Sequence, residues 1–148
     1  MTSSTPARLA TEERQTVSDT NEAAGGSVRK VQTEPGPGSS ETFDGQVTSE
    51  LIHHNTDKEV KQLRVHFHDG AQTHWHIHLG GDQVLYFTEG KGFAQELGKE
   101  VIECEAGDII HVPDGTRHIH GAMPGSDATH IAISQGETIW DHDPRYPR

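Results

Sequence analysis

Residues 70–90 read GAQTHWHIHLGGDQVLYFTEG, and this stretch decides the fold. It contains a His-x-His pair at His76 and His78, a Gly-Gly step two residues later, and an apolar run that opens at Gln83. Residues i and i+2 of a strand point to the same face, so both histidines reach into one space. A tight turn at the two glycines lets the chain fold back, which brings Gln83 beside them.

A second segment, GDIIHVPDGTRH at residues 107–118, places another histidine on a later strand. Its Pro-Asp-Gly turn aims His118 at the point that His76 and His78 reach. Seven of the twelve histidines lie between His66 and His118. Histidine ligates most divalent metals, so this clustering is the first functional signal.

Three imidazoles and one amide oxygen suit Mn, Fe, Ni, Zn or Cu, because each of these ions accepts nitrogen and oxygen ligands. The residues therefore predict one divalent transition metal ion in the protein. Two coordination positions would stay open for substrate or water. The predicted metal ligands are His76, His78, Gln83 and His118.

The sequence outside these two segments predicts more strands. From Phe43 onward, short apolar runs alternate with Gly, Asp and Pro turns, without a helical period. Such a pattern predicts an all-β sandwich or barrel. Residues 138–146 lack the pattern, and Trp140 is expected to tether them to the barrel. The predicted strands are Gln46–His53, Lys61–Phe67, Thr73–Leu79, Gln83–Thr88, Gly92–Leu97, Lys99–Cys104, Asp108–Val112, Arg117–Ala122 and Thr129–Gln135.

The amino-acid composition bears on the protein's binding partners and its cellular location. The chain carries 12 Lys and Arg against 23 Asp and Glu, a formal charge of −11, which argues against nucleic acid and anionic membranes as partners. Its only cysteine is Cys104, so neither an intrachain disulfide framework nor a thiolate zinc cluster is expected. No apolar leader opens the sequence, and we expect a cytoplasmic protein. Residues 1–40 contain no aromatic side chain and predict an N-terminal segment that is either flexible or an arm ordered against a second subunit.

Both histidine segments resemble the two signatures of the cupin family. A lone His-x-His pair would also suit a solvated strand face, but two segments at full spacing argue against that reading. The resemblance implies a small single-domain cupin β-barrel, also called a double-stranded β-helix or jelly roll, at residues 41–148. Gln83 stands where the family usually has Glu, and Asp82 stays open as the alternative fourth ligand. The matching positions are Gly70, His76, His78, Gly90, Gly107, Pro113, Gly115 and His118.

Residues 43–146 resemble one subgroup in particular, the carboxymuconolactone-decarboxylase-like cupins, which include manganese-dependent hydroxynitrile lyases. The segments that carry this resemblance are 75–78, 89–92, 118–122 and 129–133, together with Gln83. It implies the same four metal ligands and a cavity histidine at His130. Two departures alter the pocket: the loop before Gln83 is one residue longer, and Ser134 stands where those lyases have Gln.

Three further histidines are candidate catalytic residues. His74 shares parity with His76 and His78, so it faces the cavity as a base or fifth ligand, or else lies in water at the rim. His120 either orients an imidazole or is a satisfied structural histidine. His130 is either the catalytic base or a buried, hydrogen-bonded histidine.

Three functions fit these residues. The first is a metal-dependent enzyme of lyase or isomerase type, in which the ion acts as a Lewis acid on a small organic substrate and a histidine moves a proton. The second is an O₂-dependent cupin dioxygenase that uses Fe or Cu. The third is a cupin that binds a metal or small molecule without turnover. Because an open barrel edge needs cover, a homodimer is expected.

Overall fold

The computed structural model describes residues 26–148, and within that range every regular element is a strand. All strands of the described residues lie in one compact unit, residues 32–148, and residues 26–31 contain no regular element. The all-β prediction is confirmed. The strands are β1 (Gly36–Pro37), β2 (Phe43–Asp44), β3 (Val47–Asn55), β4 (Val60–Phe67), β5 (Gln72–Thr73), β6 (His76–Leu79), β7 (Gln83–Glu96), β8 (Ile102–Glu105), β9 (Ile109–Val112), β10 (His118–Ala122), β11 (Ala128–Gln135) and β12 (Glu137–Trp140).

Two antiparallel sheets share one long strand, β7. The first sheet follows the order β1-β3-β4-β11-β7-β9. The second follows β2-β5-β10-β7-β8, and β6 pairs with both β10 and β12. Residues 83–86 of β7 pair with β9, whereas residues 92–96 pair with β10. Because β7 belongs to both sheets, they close around a shared interior.

The interior changes from polar to apolar along β4. Alternate residues of a strand share a face, so Lys61, Leu63, Val65 and Phe67 line the inside in that order. Lys61 lies at the mouth of a cavity, and Phe67 is fully buried in the hydrophobic core. Each large apolar side chain in that core contributes about 2 kcal/mol through burial. The core thus occupies one end of the barrel and leaves the other end open.

The sequence pattern predicts a turn between residues 88 and 92. This prediction is wrong, because β7 continues through these residues. Gly90 takes a φ of +76°, which kinks the strand without ending it. The amide of Lys91 donates to the carbonyl of Asp127 at 3.0 Å, so pairing resumes directly. A register shift at Thr129/His130 on β11 absorbs the kink. A glycine inside a strand pattern signals such an irregularity as often as a turn.

Two other strand predictions need correction. The predicted strand 73–79 is divided into β5 and β6, with an interruption at His74 and Trp75. The tail from residue 138 was predicted to lack strand structure, yet β12 pairs with β6 over four residues. Ile139, which is buried, is the main apolar anchor of this short strand. Strands as short as β5 and β12 show too little alternation of apolar and polar residues to be recognised in the sequence.

The end of the predicted N-terminal segment pairs with the barrel. Gly36 and Pro37 form β1 against β3, and the hydroxyl of Thr33 donates to Glu50 at 2.6 Å. Residues 1–25 of that segment lie outside the described residues. Residues 26–148 include no helix of the length and apolar character that a membrane crossing requires. The homodimer stays a prediction.

Replacing Gly90 with alanine should lower the free energy of unfolding by about 3 kcal/mol, because it combines two sources of strain. The positive φ disfavours any side chain, and a Cβ would collide with the backbone carbonyl of Asp127. Gly98→Ala is the matched control, since its φ is +81° but the space around it is open. Urea unfolding should show a loss of only about 1 kcal/mol there. Equal losses in both variants would contradict the collision at Gly90.

Candidate metal centre

Three of the predicted ligands are brought together by two paired strands. His76 and His78 lie on β6, and His118 on β10 is the direct Cα partner of His76. Their ring centroids are 4.1 Å apart for His76 and His118, 5.1 Å for His76 and His78, and 5.2 Å for His78 and His118. All three are buried. The i, i+2 argument from the sequence therefore describes their arrangement correctly.

Each of these imidazoles is held through its Nδ1 atom. His76 Nδ1 donates to the carbonyl of His74 at 2.9 Å, and His118 Nδ1 donates to that of Thr116 at 2.8 Å. A carbonyl only accepts, so these bonds put the proton on Nδ1 and leave Nε2 as a bare lone pair. His78 Nδ1 lies 3.2 Å from the hydroxyl of Thr138, and its Nε2 is buried without a hydrogen-bond partner.

Gln83 completes the predicted set from the start of β7. Its side chain is buried, and its amide nitrogen donates to the hydroxyl of Ser134 at 2.9 Å. That bond turns the amide oxygen toward His118, whose Nε2 lies 3.0 Å away. With the amide in this orientation both facing atoms offer lone pairs, so both could serve as ligands of one cation.

Burial disfavours protonation of these three imidazoles. It lowers the pKa of His118 to about 4 and holds the pKa of His76 well below its ordinary value. Burial also lowers the pKa of His78. All three imidazoles are therefore neutral at pH 7, which is the form that ligates metals. The residues fit a bound cation.

Asp82, the alternative fourth ligand, points elsewhere. Its carboxylate accepts from His111 Nε2 at 2.7 Å and from the amide of Asp114 at 2.9 Å, and half of the side chain is exposed. Asp82 precedes Gln83 directly, so the two side chains take opposite faces. The structure does not bring Asp82 to His76, His78 or His118.

A second three-histidine group includes His120 in place of His78. His76, His118 and His120 each offer one ligand atom, and these atoms lie within 4.8 Å of one another. The His118 and His120 rings stack at 20° with centroids 5.6 Å apart. A three-histidine site suits a divalent metal. Two candidate ligand sets therefore share His76 and His118.

His120 is hydrogen-bonded to His130, a contact between β10 and β11. His120 Nδ1 lies 2.8 Å from His130 Nε2, and His120 Nε2 and His130 Nδ1 are buried without partners. His130 is fully buried beside Phe67 and Phe87, and burial lowers its pKa to about 4. One of the two facing nitrogens donates the proton and the other accepts it. In the tautomer in which His120 Nδ1 donates to His130, His120 Nε2 is left as a lone pair.

His74, the third catalytic candidate, lies outside the cavity. Its Nε2 is 2.9 Å from Asp44, and its Nδ1 is 3.8 Å from Asp141. The parity argument assumed one continuous strand, but the chain is interrupted at residues 74 and 75. What His74 contributes is its carbonyl, which orients His76.

His76, His78, His120 and His130 line a cavity of about 400 Å³. Phe43, Leu63, Val65, Ala132 and Trp140 supply its apolar wall, and Lys61 and His54 lie at its mouth. The sequence reasoning did not single out Lys61 or Thr138 as site residues. The strand pattern could have identified Lys61, because it lies on the same face of its strand as Leu63 and Val65. No pattern in the sequence points to Thr138.

Relatives of known name support this description. The Cupin domain family matches residues 63–134. The (R)-mandelonitrile lyase of Granulicella tundricola is 38% identical over 101 residues, which cover 68% of this chain and 76% of that enzyme. The acireductone dioxygenase of Pseudomonas savastanoi pv. phaseolicola is 38% identical over 81 residues, or 52% of this chain and 41% of that enzyme.

A solved structure agrees with these sequence relatives. A cupin-like protein from Thermotoga maritima is 34% identical, with a TM-score of 0.68 over 78% of this chain and 88% of that one. On its sequence, its barrel and its relatives, this chain belongs to the cupin family.

Proposed function

We propose that this cupin is a metal-dependent enzyme that acts on a small organic substrate by Lewis-acid and proton-transfer chemistry. The observation that carries the proposal is the arrangement of three buried imidazoles, those of His76, His78 and His118, around the side-chain amide of Gln83. A divalent cation would be held by Gln83 Oε1 and by the Nε2 atoms of these imidazoles. The proposed ligands are those predicted from the sequence: His76, His78, Gln83 and His118.

The four proposed ligands are uncharged, and this affects how strongly a bound ion would act as a Lewis acid. An ion held by imidazoles and an amide keeps more of its charge than one held by a carboxylate. When bound, it would polarise a substrate oxygen. Mn, Fe, Ni, Zn and Cu all suit these donors.

His120 and His130 would move the proton. In the tautomer in which His120 Nδ1 donates to His130 Nε2, His120 Nε2 is a lone pair beside the proposed ligands. In a cyanohydrin, His120 Nε2 would take the hydroxyl proton. The bond between the carbinol carbon and the nitrile carbon would break with its electron pair leaving on cyanide. His120 would then return the proton to cyanide, giving an aldehyde and hydrogen cyanide.

Similarity to a mandelonitrile lyase over two thirds of the chain supports this lyase-type reaction. The substrate of that lyase is not assigned to this chain, because the two differ at the position of Ser134. The resemblance places Gln at that position in the lyases, whereas here Ser134 accepts a hydrogen bond from the Gln83 amide and lines the cavity. The proposal is therefore a reaction type, with the substrate to be identified separately.

A dioxygenase is the second candidate. Similarity to acireductone dioxygenases over half of this chain favours it, and the same neutral donor set would serve Fe or Cu. This candidate needs O₂, whereas the lyase does not. Oxygen dependence therefore separates the two.

Turnover under argon tests the proposal. We expect protein purified without added metal to contain about one divalent ion per chain by elemental analysis. A panel of cyanohydrins, β-diketones and unsaturated lactones should include a substrate that is converted equally fast under argon and in air. Chelation with dialysis should remove that activity, and readdition of the same ion should restore it. Activity that vanishes under argon with matching oxygen uptake would instead support the dioxygenase.

A further inference from the structure

The mouth of the cavity carries a lysine in line with a proposed metal ligand. Lys61 on β4 is the Cα partner of Ser134 on β11, which is the partner of Gln83 on β7. The three residues form one row across neighbouring strands, all lining the cavity. Two strand spacings separate Lys61 from Gln83, about 10 Å between their Cα atoms. A lysine side chain spans much of that distance.

The charge of the cavity differs from that of the chain. The protein has 23 Asp and Glu against 12 Lys and Arg. Among residues 26–148, however, no carboxylate lines the cavity, and Lys61 is the one Lys or Arg that does. None of the ion pairs formed among residues 26–148 involves Lys61. Its ammonium is therefore available to a ligand that enters the cavity.

The proposed metal site increases this positive charge. Its donors are three imidazoles and one amide, so they compensate none of the charge of a divalent ion. Taking that charge out of water is costly unless a counter-charge accompanies it. Because the described part of the chain places no carboxylate in the cavity, a ligand that brings a counter-charge would be favoured.

Building on the metal-dependent function, we propose that the cavity selects small carboxylate anions that carry a second oxygen several bonds away. The carboxylate pairs with Lys61 at the mouth, and the second oxygen faces the histidines. Short dicarboxylates and oxo acids have this chemistry. The apolar wall of Leu63, Val65 and Trp140 accommodates the carbon chain between the two oxygen groups.

Calorimetric titration of metal-loaded protein tests this assignment. The probes are succinate, glutarate and adipate, with succinamide as the neutral analogue of succinate. We expect one dicarboxylate to bind more tightly than succinamide, and Lys61→Gln to weaken that binding about 5-fold. Lys61→Arg should retain the affinity, and raising the salt concentration should reduce it in the wild type more than in Lys61→Gln.

Lys99→Gln is the control, because Lys99 is exposed and pairs with Glu96 away from the cavity. Its affinity for the probes should equal that of the wild type. Equal affinity in Lys61→Gln, or binding of succinamide as tight as that of the acids, overturns the assignment. Elemental analysis is read separately: metal-free wild-type protein contradicts the proposed function, while the comparison of Lys61→Gln with wild type still decides the role of Lys61.

Discussion

Protein with His76 replaced by alanine should purify without the metal and without activity. His76 Nε2 belongs to both candidate ligand sets, so either set loses a donor. Losing an orienting partner alone costs a metal site about 10- to 100-fold in affinity, and losing a donor should cost more. A ligand present at 1,000 times its dissociation constant stabilises the folded state by about 4 kcal/mol, so the thermal midpoint should fall as well.

Elemental analysis and thermal melts with and without chelator check this result. His68→Ala is the control, because His68 is partly exposed and does not line the cavity. That variant should hold metal and melt like the wild type. A His76→Ala protein with full metal content would contradict the site. His78→Ala separates the two ligand sets, since metal should be lost only if His78 is a ligand.

His120→Asn should lower kcat by about 100- to 10,000-fold while the metal stays bound. Asparagine can place an amide where Nδ1 now meets His130, but it has no atom at the position of Nε2. The variant therefore removes the group that takes the proton and leaves its support in place. Metal content, kcat and KM should be measured together, because loss of proton transfer lowers kcat without a matching change in metal content.

His68→Asn is the matched control for that change and should keep wild-type kcat. Two results would contradict the proposed role of His120. Unchanged turnover would mean that His120 moves no proton. Loss of the metal would mean that His120 is a ligand, and the set would then be His76, His118 and His120.

Local rules predict part of this site well. His76 and His78 lie two residues apart on one strand, and the alternation of side chains needs no knowledge of the rest of the fold. The same rule fails for His74, because the strand is interrupted after it. Parity is reliable only within an unbroken strand, and a two-residue interruption is invisible in a pattern this short.

Such rules do not predict contacts between strands that are far apart in the sequence. His120 and His130 were each singled out, but their hydrogen bond joins β10 of one sheet to β11 of the other. That contact depends on how the two sheets curve toward each other. Thr138 is a similar case, since it reaches His78 only because β12 pairs with β6.

The position of β7 in the chain has a consequence for the order of assembly. Its partners β8, β9, β10 and β11 span residues 102–135, so every one of them is made after it. Pairings between distant residues form slowly, because the intervening loops must close first. Gln83 begins β7 and His118 begins β10, so these donors meet only when the late strands have docked. The full set of proposed ligands therefore comes together only after strands that are made late in the chain have paired.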